Sequence, residues 1–130
     1  MGHKVHPKVF RLAVTRNWGG IWFSRKEFRQ LLREDVNIRA YLLRELRDAL
    51  VDRVDVERSR GTIAVTIHSG KPGVIIGRAG AGMEDLRGKL KTRFFRGRRV
   101  DMKLNVKEIQ RPSLSAITVL LGLLWGYPAR

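Results

Sequence analysis

The stretch that decides the fold is Lys71-Pro72-Gly73-Val74-Ile75-Ile76-Gly77-Arg78-Ala79-Gly80-Ala81-Gly82-Met83. An apolar run meets Arg78 and Ala79, held between glycines, and a helical pattern starts beyond them. Without a Cβ, Gly77 and Gly80 let the chain turn sharply and let a ligand approach the main chain. Arg78 adds a fork of donors suited to phosphate, and the amides that open the following helix carry partial positive charge. Two nucleotide fingerprints fail on spacing: a dinucleotide site requires G-x-G-x-x-G, and a P-loop requires a lysine followed by Ser or Thr. Here Gly77, Gly80 and Gly82 stand as G-x-x-G-x-G, and Lys71 is followed by Pro72. A bare G-x-x-G also serves as an ordinary turn between helices, so its surroundings must separate the two readings.

Downstream, Met83, Leu86, Leu90 and Phe94 recur at three- and four-residue intervals, which predicts a helix to about Phe95 with one buried stripe. Val100, Met102, Leu104 and Val106 then alternate with polar residues, the pattern of a half-buried strand. From Arg87 to Lys107 nine basic residues face one acid, Asp101. A solvated face normally mixes signs. With Lys71 on the other side of the loop, the cluster Arg87, Lys91, Arg96, Arg98, Arg99, Lys103 and Lys107 reads as an electrostatic footprint beside the glycine loop. Past Pro112, Ser113 can cap a last, almost wholly apolar helix, too short to span a bilayer and expected to bury on the back of the sheet against a second partner as well.

Upstream, Val54 and Val56 alternate with Asp55 and Glu57, and Ile63, Val65 and Ile67 follow a Ser59-Arg60-Gly61 turn, which predicts a hairpin. His68 ends the second strand and reads as a structural hydrogen-bonder, with no acid or nucleophile spaced to work with it. Before the hairpin, Ser24 and Glu27 form a capping box for a helix running through Phe28, Leu31, Leu32, Ile38, Leu42 and Leu46, with a break allowed near Asp35 and Asn37. Its arginines read as a solvated face, with pairs such as Arg44 and Asp48 at helical spacing. Residues 1–23 interleave Lys4, Lys8, Arg11 and Arg16 with Phe10, Trp18, Trp22 and Phe23. That mixture suits an extended arm on RNA, where rings stack on bases, and equally a loop whose aromatics fold back on the core.

The whole chain has 130 residues, one domain's worth, and its 27 Lys and Arg against 12 Asp and Glu leave it at +15. Such a charge is expected of a protein whose partner is a polyanion, with nucleic acid first and an anionic membrane second. Cysteine is absent, which excludes a disulfide framework and a thiolate site and fits a reducing, intracellular setting. No targeting segment is read at the N-terminus. His3 and His6 lack a third ligand, and Glu84 and Asp85 complement a helix dipole without pairing to a histidine. No catalytic residues, metal site or cofactor are therefore expected.

Val74-Ile75-Ile76-Gly77-Arg78-Ala79-Gly80-Ala81-Gly82-Met83, in the order helix, strand, strand, helix, glycine loop, helix, strand, resembles the core of a type II K-homology (KH) RNA-binding domain. Met1 to Pro7 with Phe10-Arg11-Leu12, the Trp22-Phe23 pair, and Val65-Thr66-Ile67-His68 leading to Lys71-Pro72-Gly73 are similar to the N-terminal part of the bacterial-type small-subunit ribosomal protein S-three family. The resemblance covers roughly residues 1–111. It implies an α+β fold with an N-terminal basic arm (1–23), a type II KH domain (24–111) and an apolar C-terminal helix (112–130), the family's C-terminal domain having no counterpart. It further implies a structural constituent of the small ribosomal subunit, bound to ribosomal RNA near the messenger RNA entrance. Its partners would be ribosomal RNA, messenger RNA and neighbouring small-subunit proteins, in the cytoplasm or in an organelle, with no membrane or small-molecule substrate. Gly77, Arg78, Ala79 and Gly80 would be the RNA-binding loop, with Ala79 where the family commonly has glycine, and Val74, Ile75, Ile76 and Met83 the apolar support of the RNA groove. The other functional reading is a free-standing KH regulator or ribosome-assembly factor. A nuclease, from another class, would need clustered carboxylates, which this chain lacks.

Overall fold

A computed structural model describes residues 2–124 of the chain. Four strands form one mixed sheet in the order β1 (Gly20–Ile21), β2 (Val51–Ser59), β3 (Thr62–Ser69), β4 (Asp101–Glu108). The central pair β2/β3 is antiparallel, and β1 and β4 add to its two sides in parallel. The helices are α1 (Pro7–Phe10), α2 (Phe28–Glu45), α3 (Pro72–Ile76), α4 (Ala81–Phe94) and α5 (Ala116–Leu124). The succession α2-β2-β3-α3-loop-α4-β4 is the expected α+β, type II arrangement.

Alternation decides which face of the sheet is covered. Register sets Val56 beside Val65 and Leu104 beside Val65, and likewise Val54 and Val106 beside Ile67. These valines and isoleucines form one apolar face that packs with Ile38 and Leu42 of α2 and Leu86 and Leu90 of α4 in a single core. The intervening residues Arg53, Asp55, His68, Lys103 and Lys107 fall on the other face, because successive strand residues point to opposite sides. At the hairpin turn Gly61 takes φ +73, a conformation that strains residues carrying a Cβ.

Four local expectations are corrected. The Ser24 hydroxyl accepts a hydrogen bond from the Glu27 amide at 3.2 Å, yet the helix begins only at Phe28. Of the two alternatives left open, one long helix forms, α2 running unbroken past Asp35, and because it ends at Glu45, Arg44 and Asp48 do not share it. Ser113 does not cap the last helix: it lies in a short 3-10 turn, Pro112–Leu114, and α5 starts at Ala116. Finally, α5 packs at the end of the hairpin, where Ser115 donates to Asp52 and Pro112 and Thr118 lie against Gly70. It does not lie buried on the back of the sheet, and Ile117, Leu120, Leu123 and Leu124 are 49–74% exposed. The rest of the expected terminal helix, residues 125–130, lies outside the described residues. No helix among the described residues is long and apolar enough to cross a membrane.

α2 carries the most buried charge among the described residues. Asp35 is 1% exposed. One of its oxygens accepts from the Trp22 indole at 2.6 Å and the other from Arg58 Nε at 2.8 Å. Arg58 also donates to Glu34 at 3.1 Å, and Arg98 pairs with Glu34 from the turn before β4. On the same helix Arg39 donates to the carbonyls of Gly19 at 2.5 Å and Val54 at 3.2 Å, tying β1 to β2. Removing one partner of a buried pair leaves the other uncompensated, at a cost of about 3–5 kcal/mol. Because Glu34 still faces Arg58, Asp35→Ala is expected to lower unfolding stability by about 3 kcal/mol in urea titration, the lower end of that range. A loss below about 1 kcal/mol would show that the carboxylate is not what holds α2 to the sheet.

Candidate nucleic-acid interface

The glycine loop is built by two helices that meet almost head to tail. The Ser69 hydroxyl donates to the Ala49 carbonyl at 2.5 Å and accepts from the Lys71 amide at 3.0 Å, fixing the point where the chain leaves β3. Pro72 starts α3, which ends at Ile76 with the Gly77 amide bonded to the Gly73 carbonyl at 3.0 Å. Gly77 then takes φ +67 and Gly80 φ +82, the left-handed region open to glycine. Between them Arg78 is exposed and makes no hydrogen bond or ion pair among the described residues, and Ala79 holds φ +54, a conformation that costs alanine about 1 kcal/mol. No side chain caps α4; the Ala81 amide donates to the Arg78 carbonyl, and the amides that follow it open the helix at the loop.

Gly82, outside the predicted site, is the residue on which this geometry turns. An ideal Cβ there would sit 2.6 Å from the Ile75 carbonyl oxygen and 3.1 Å from that of Ile76. The first turn of α4 therefore reaches the end of α3 at a distance that admits only hydrogen. Its signal in the sequence was the third glycine of the run, which the turn itself does not require.

The apolar support divides. Ile75 is buried and Met83 is half-buried against the core, so these two anchor the loop. Val74 and Ile76, expected to bury against the strands with Ile75, are 56% and 42% exposed instead. A short helix turns successive side chains about 100° apart, so one residue in three can face the core. The exposed pair gives the surface beside the loop an apolar character.

The basic cluster is not one patch. Arg87 pairs with Glu84 at 2.9 Å, Lys89 with Glu45 at 3.1 Å, and Arg98 with Glu34, while Arg93 lies 4.9 Å from the centre of the Tyr41 ring. Lys91, Arg96, Arg99, Lys103 and Lys107 remain exposed. Adjacency in sequence misleads here, because α4 starts at the loop and its 14 residues carry the chain roughly 20 Å away before Arg96, Arg98 and Arg99. Lys103 and Lys107 lie on the sheet face opposite the helices. The hydrogen bond that Lys89 donates to the Glu45 carboxylate holds the Lys89 pKa above its ordinary value. That pair therefore contributes its small stability below about pH 10.4 and loses it as the pH rises through the higher folded value.

In the arm, Lys4, Lys8, Arg11 and Arg16 are exposed, and His6 Nδ1 accepts from the Lys8 amide at 3.2 Å to cap α1. Of its aromatics, Trp22 folds back to Asp35 and packs tilted against Phe28 at 5.3 Å, whereas Phe10, Trp18 and Phe23 are 53–81% exposed. The arm also contains β1, and the carbonyl of Gly19 just before it accepts from the Val56 amide at 2.9 Å. His68 is a hydrogen-bonder as expected, but an acid does reach it: Asp55, two residues along the neighbouring strand from its register partner, lies 2.9 Å from Nε2. Among the described residues no group of three His, Cys, Asp or Glu could hold a metal ion.

The glycines separate close approach from conformational strain. Gly82→Ala is expected to destabilise by about 2–3 kcal/mol and to disturb the loop amide resonances, because backbone must move to admit the methyl group. Gly80→Ala meets open space and should cost only about 1 kcal/mol for its positive φ. Gly88→Ala, in the middle of α4 with nothing within 4 Å, should stabilise by about 0.5–1 kcal/mol. Thermal unfolding of the three variants checks the order.

Comparison with known proteins agrees with this geometry. A family model described as "KH domain" matches residues 37–114, which hold β2, β3, α3, the loop, α4 and β4. The small ribosomal subunit protein uS3 of Roseiflexus sp. (strain RS-1) is 42% identical over 116 residues, 89% of this chain and 43% of that protein. The uS3 of Oenococcus oeni is 42% identical over 120 residues, covering 89% and 45%. That of Laribacter hongkongensis is 37% identical over 124 residues, covering 95% and 52%. The chain thus spans about half the length of the curated relatives it matches. With the family model covering most of the chain, the chain belongs to the KH domain family, and it is similar to uS3 proteins over about half of their length.

Proposed function

We propose that the chain is a non-catalytic, RNA-binding constituent of the small ribosomal subunit, held on ribosomal RNA through the loop Gly77, Arg78, Ala79 and Gly80. The carrying observation is the loop itself: two positive-φ glycines, an exposed Arg78 side chain with no partner among the described residues and a helix N-terminus with no side-chain cap meet at one point. Main-chain amides and a guanidinium together suit a phosphate backbone, and a G-x-x-G loop of this family clamps about four nucleotides. Val74 and Ile76 supply an apolar surface on which bases would lie. Lys71, Lys91 and the arm residues Lys4, Lys8, Arg11 and Arg16 would add phosphate contacts. Sequence likeness to uS3 supports neighbouring small-subunit proteins as partners, a ribosome as the location, and a position near the messenger RNA entrance.

The match to a KH domain over residues 37–114 also fits a second reading, a KH module that meets RNA transiently without joining a subunit. Cosedimentation separates the two, since a constituent travels with small subunits through a sucrose gradient and a transient binder stays at the top.

Arg78→Asp with Ala79→Asp replaces the loop's centre and keeps both glycines, and aspartate tolerates the left-handed region. RNA affinity is expected to fall more than tenfold while circular dichroism and melting temperature stay unchanged; retained affinity would remove the loop from the function. For four phosphates at about −0.7 in slope each, raising salt from 50 to 200 mM should weaken single-strand binding about fifty-fold. A flat response measured by fluorescence anisotropy would contradict a phosphate-led contact.

A further inference from the structure

A cleft of about 530 Å³ opens at the opposite end of the hairpin from the glycine loop. The eight residues of β3 at ~3.3 Å each separate the two, roughly 25 Å. Leu31, Ile63, Phe95 and Val100 make its floor, Trp22 and Phe23 one wall, and the turn at Arg60 and Gly61 the other. The Trp22 wall is rigid, because its indole is bonded to buried Asp35 and packed on Phe28. Phe23 beside it is 81% exposed, an aromatic face with nothing laid on it.

Charge narrows the occupant. Three arginines and one carboxylate, Glu27, line the cleft. Arg58 is engaged by Glu34 and Asp35, and Arg98, half exposed over the Phe95 ring, pairs with Glu34, whereas Arg60 is exposed with no partner among the described residues. A cleft of nucleotide size with a mixed apolar and polar lining, an open aromatic face and the Arg60 guanidinium matches an unpaired base with its phosphate. An acidic peptide would match the charge but offers no flat ring for Phe23.

We propose that this cleft is a second single-stranded RNA contact, independent of the glycine loop, in which an unpaired base packs on Phe23 and Trp22 and its phosphate meets Arg60. An RNA strand bound here and at the loop would be held at both ends of the hairpin, which sets the orientation of the domain as well as its affinity.

The test uses the full chain carrying Arg78→Asp and Ala79→Asp, which silence the loop, with Trp18→Phe and Trp125→Phe leaving Trp22 as the sole indole. Titration with heptauridylate is expected to quench Trp22 fluorescence saturably. Phe23→Ala with Arg60→Glu should weaken that titration about tenfold or more, within the range for loss of one stacked base, and Arg60→Lys should stay within about threefold. Both positions are exposed, so neither change threatens the fold. Absence of quenching, or quenching unaffected by the double change, overturns the proposal. Equal or stronger quenching by hexaglutamate also overturns it, in favour of a protein partner. Restoring Arg78 and Ala79 in the Phe23→Ala, Arg60→Glu chain tests the loop separately, so failure of one contact is distinguishable from failure of the other.

Discussion

A carboxylate with no water around it must have donors, and Asp35 takes them from segments far apart in the chain. Trp22 comes from the arm and Arg58 from the end of β2, while Glu34 beside it draws Arg98 from the turn before β4. Desolvating a charge costs several kcal/mol unless each lone pair finds a partner, so these segments are obliged to converge on one side of α2. Convergence places β1 against β2, holds the hairpin end and the α4–β4 turn together, and leaves the opposite end of the sheet for the glycine loop. Arg39 completes the arrangement by bonding the carbonyls of Gly19 and Val54.

A second constraint shapes the loop. Gly82 lets α4 abut the end of α3, and the turn between them must then use positive φ at Gly77 and Gly80. Phosphate chemistry follows from that geometry and requires no special side chain beyond Arg78. The bare helix N-terminus supplies fixed partial charge, and the core beneath, through Ile75 and Met83, keeps the amides where they are. Affinity at such a site depends on rigidity more than on the number of lysines nearby.

Elements built on local periodicity were legible before the structure. The alternation in β2, β3 and β4, the stripe of α4 and the G-x-x-G spacing each repeat within one element, and the strands and helices formed where those patterns lie. The loop residues Gly77 to Gly80 were readable for the same reason, because a turn that needs glycine announces it locally. Val74 and Ile76 were misread, since three apolar residues in a row do not state which of them a five-residue helix will turn inward. The burial of Asp35 was not legible, because its partners Trp22 and Arg58 lie 13 and 23 residues away in sequence. The basic run after Arg87 looked like one footprint because a helix and a strand carry neighbours in sequence to separate surfaces.

By itself the sequence determined the excess of positive charge, the absence of cysteine chemistry, the order of elements and the glycine loop, all properties that need no knowledge of distant contacts. Only the tertiary structure decided that Gly20–Ile21 joins the sheet, that Asp35 is interior, that Lys103 and Lys107 face away from the helices, and that Phe23 and Arg60 line one cleft. The physical reason is common to all four. Burial and charge pairing are settled by which surfaces meet when a core closes, and a side chain's type sets only what such a meeting would cost or contribute.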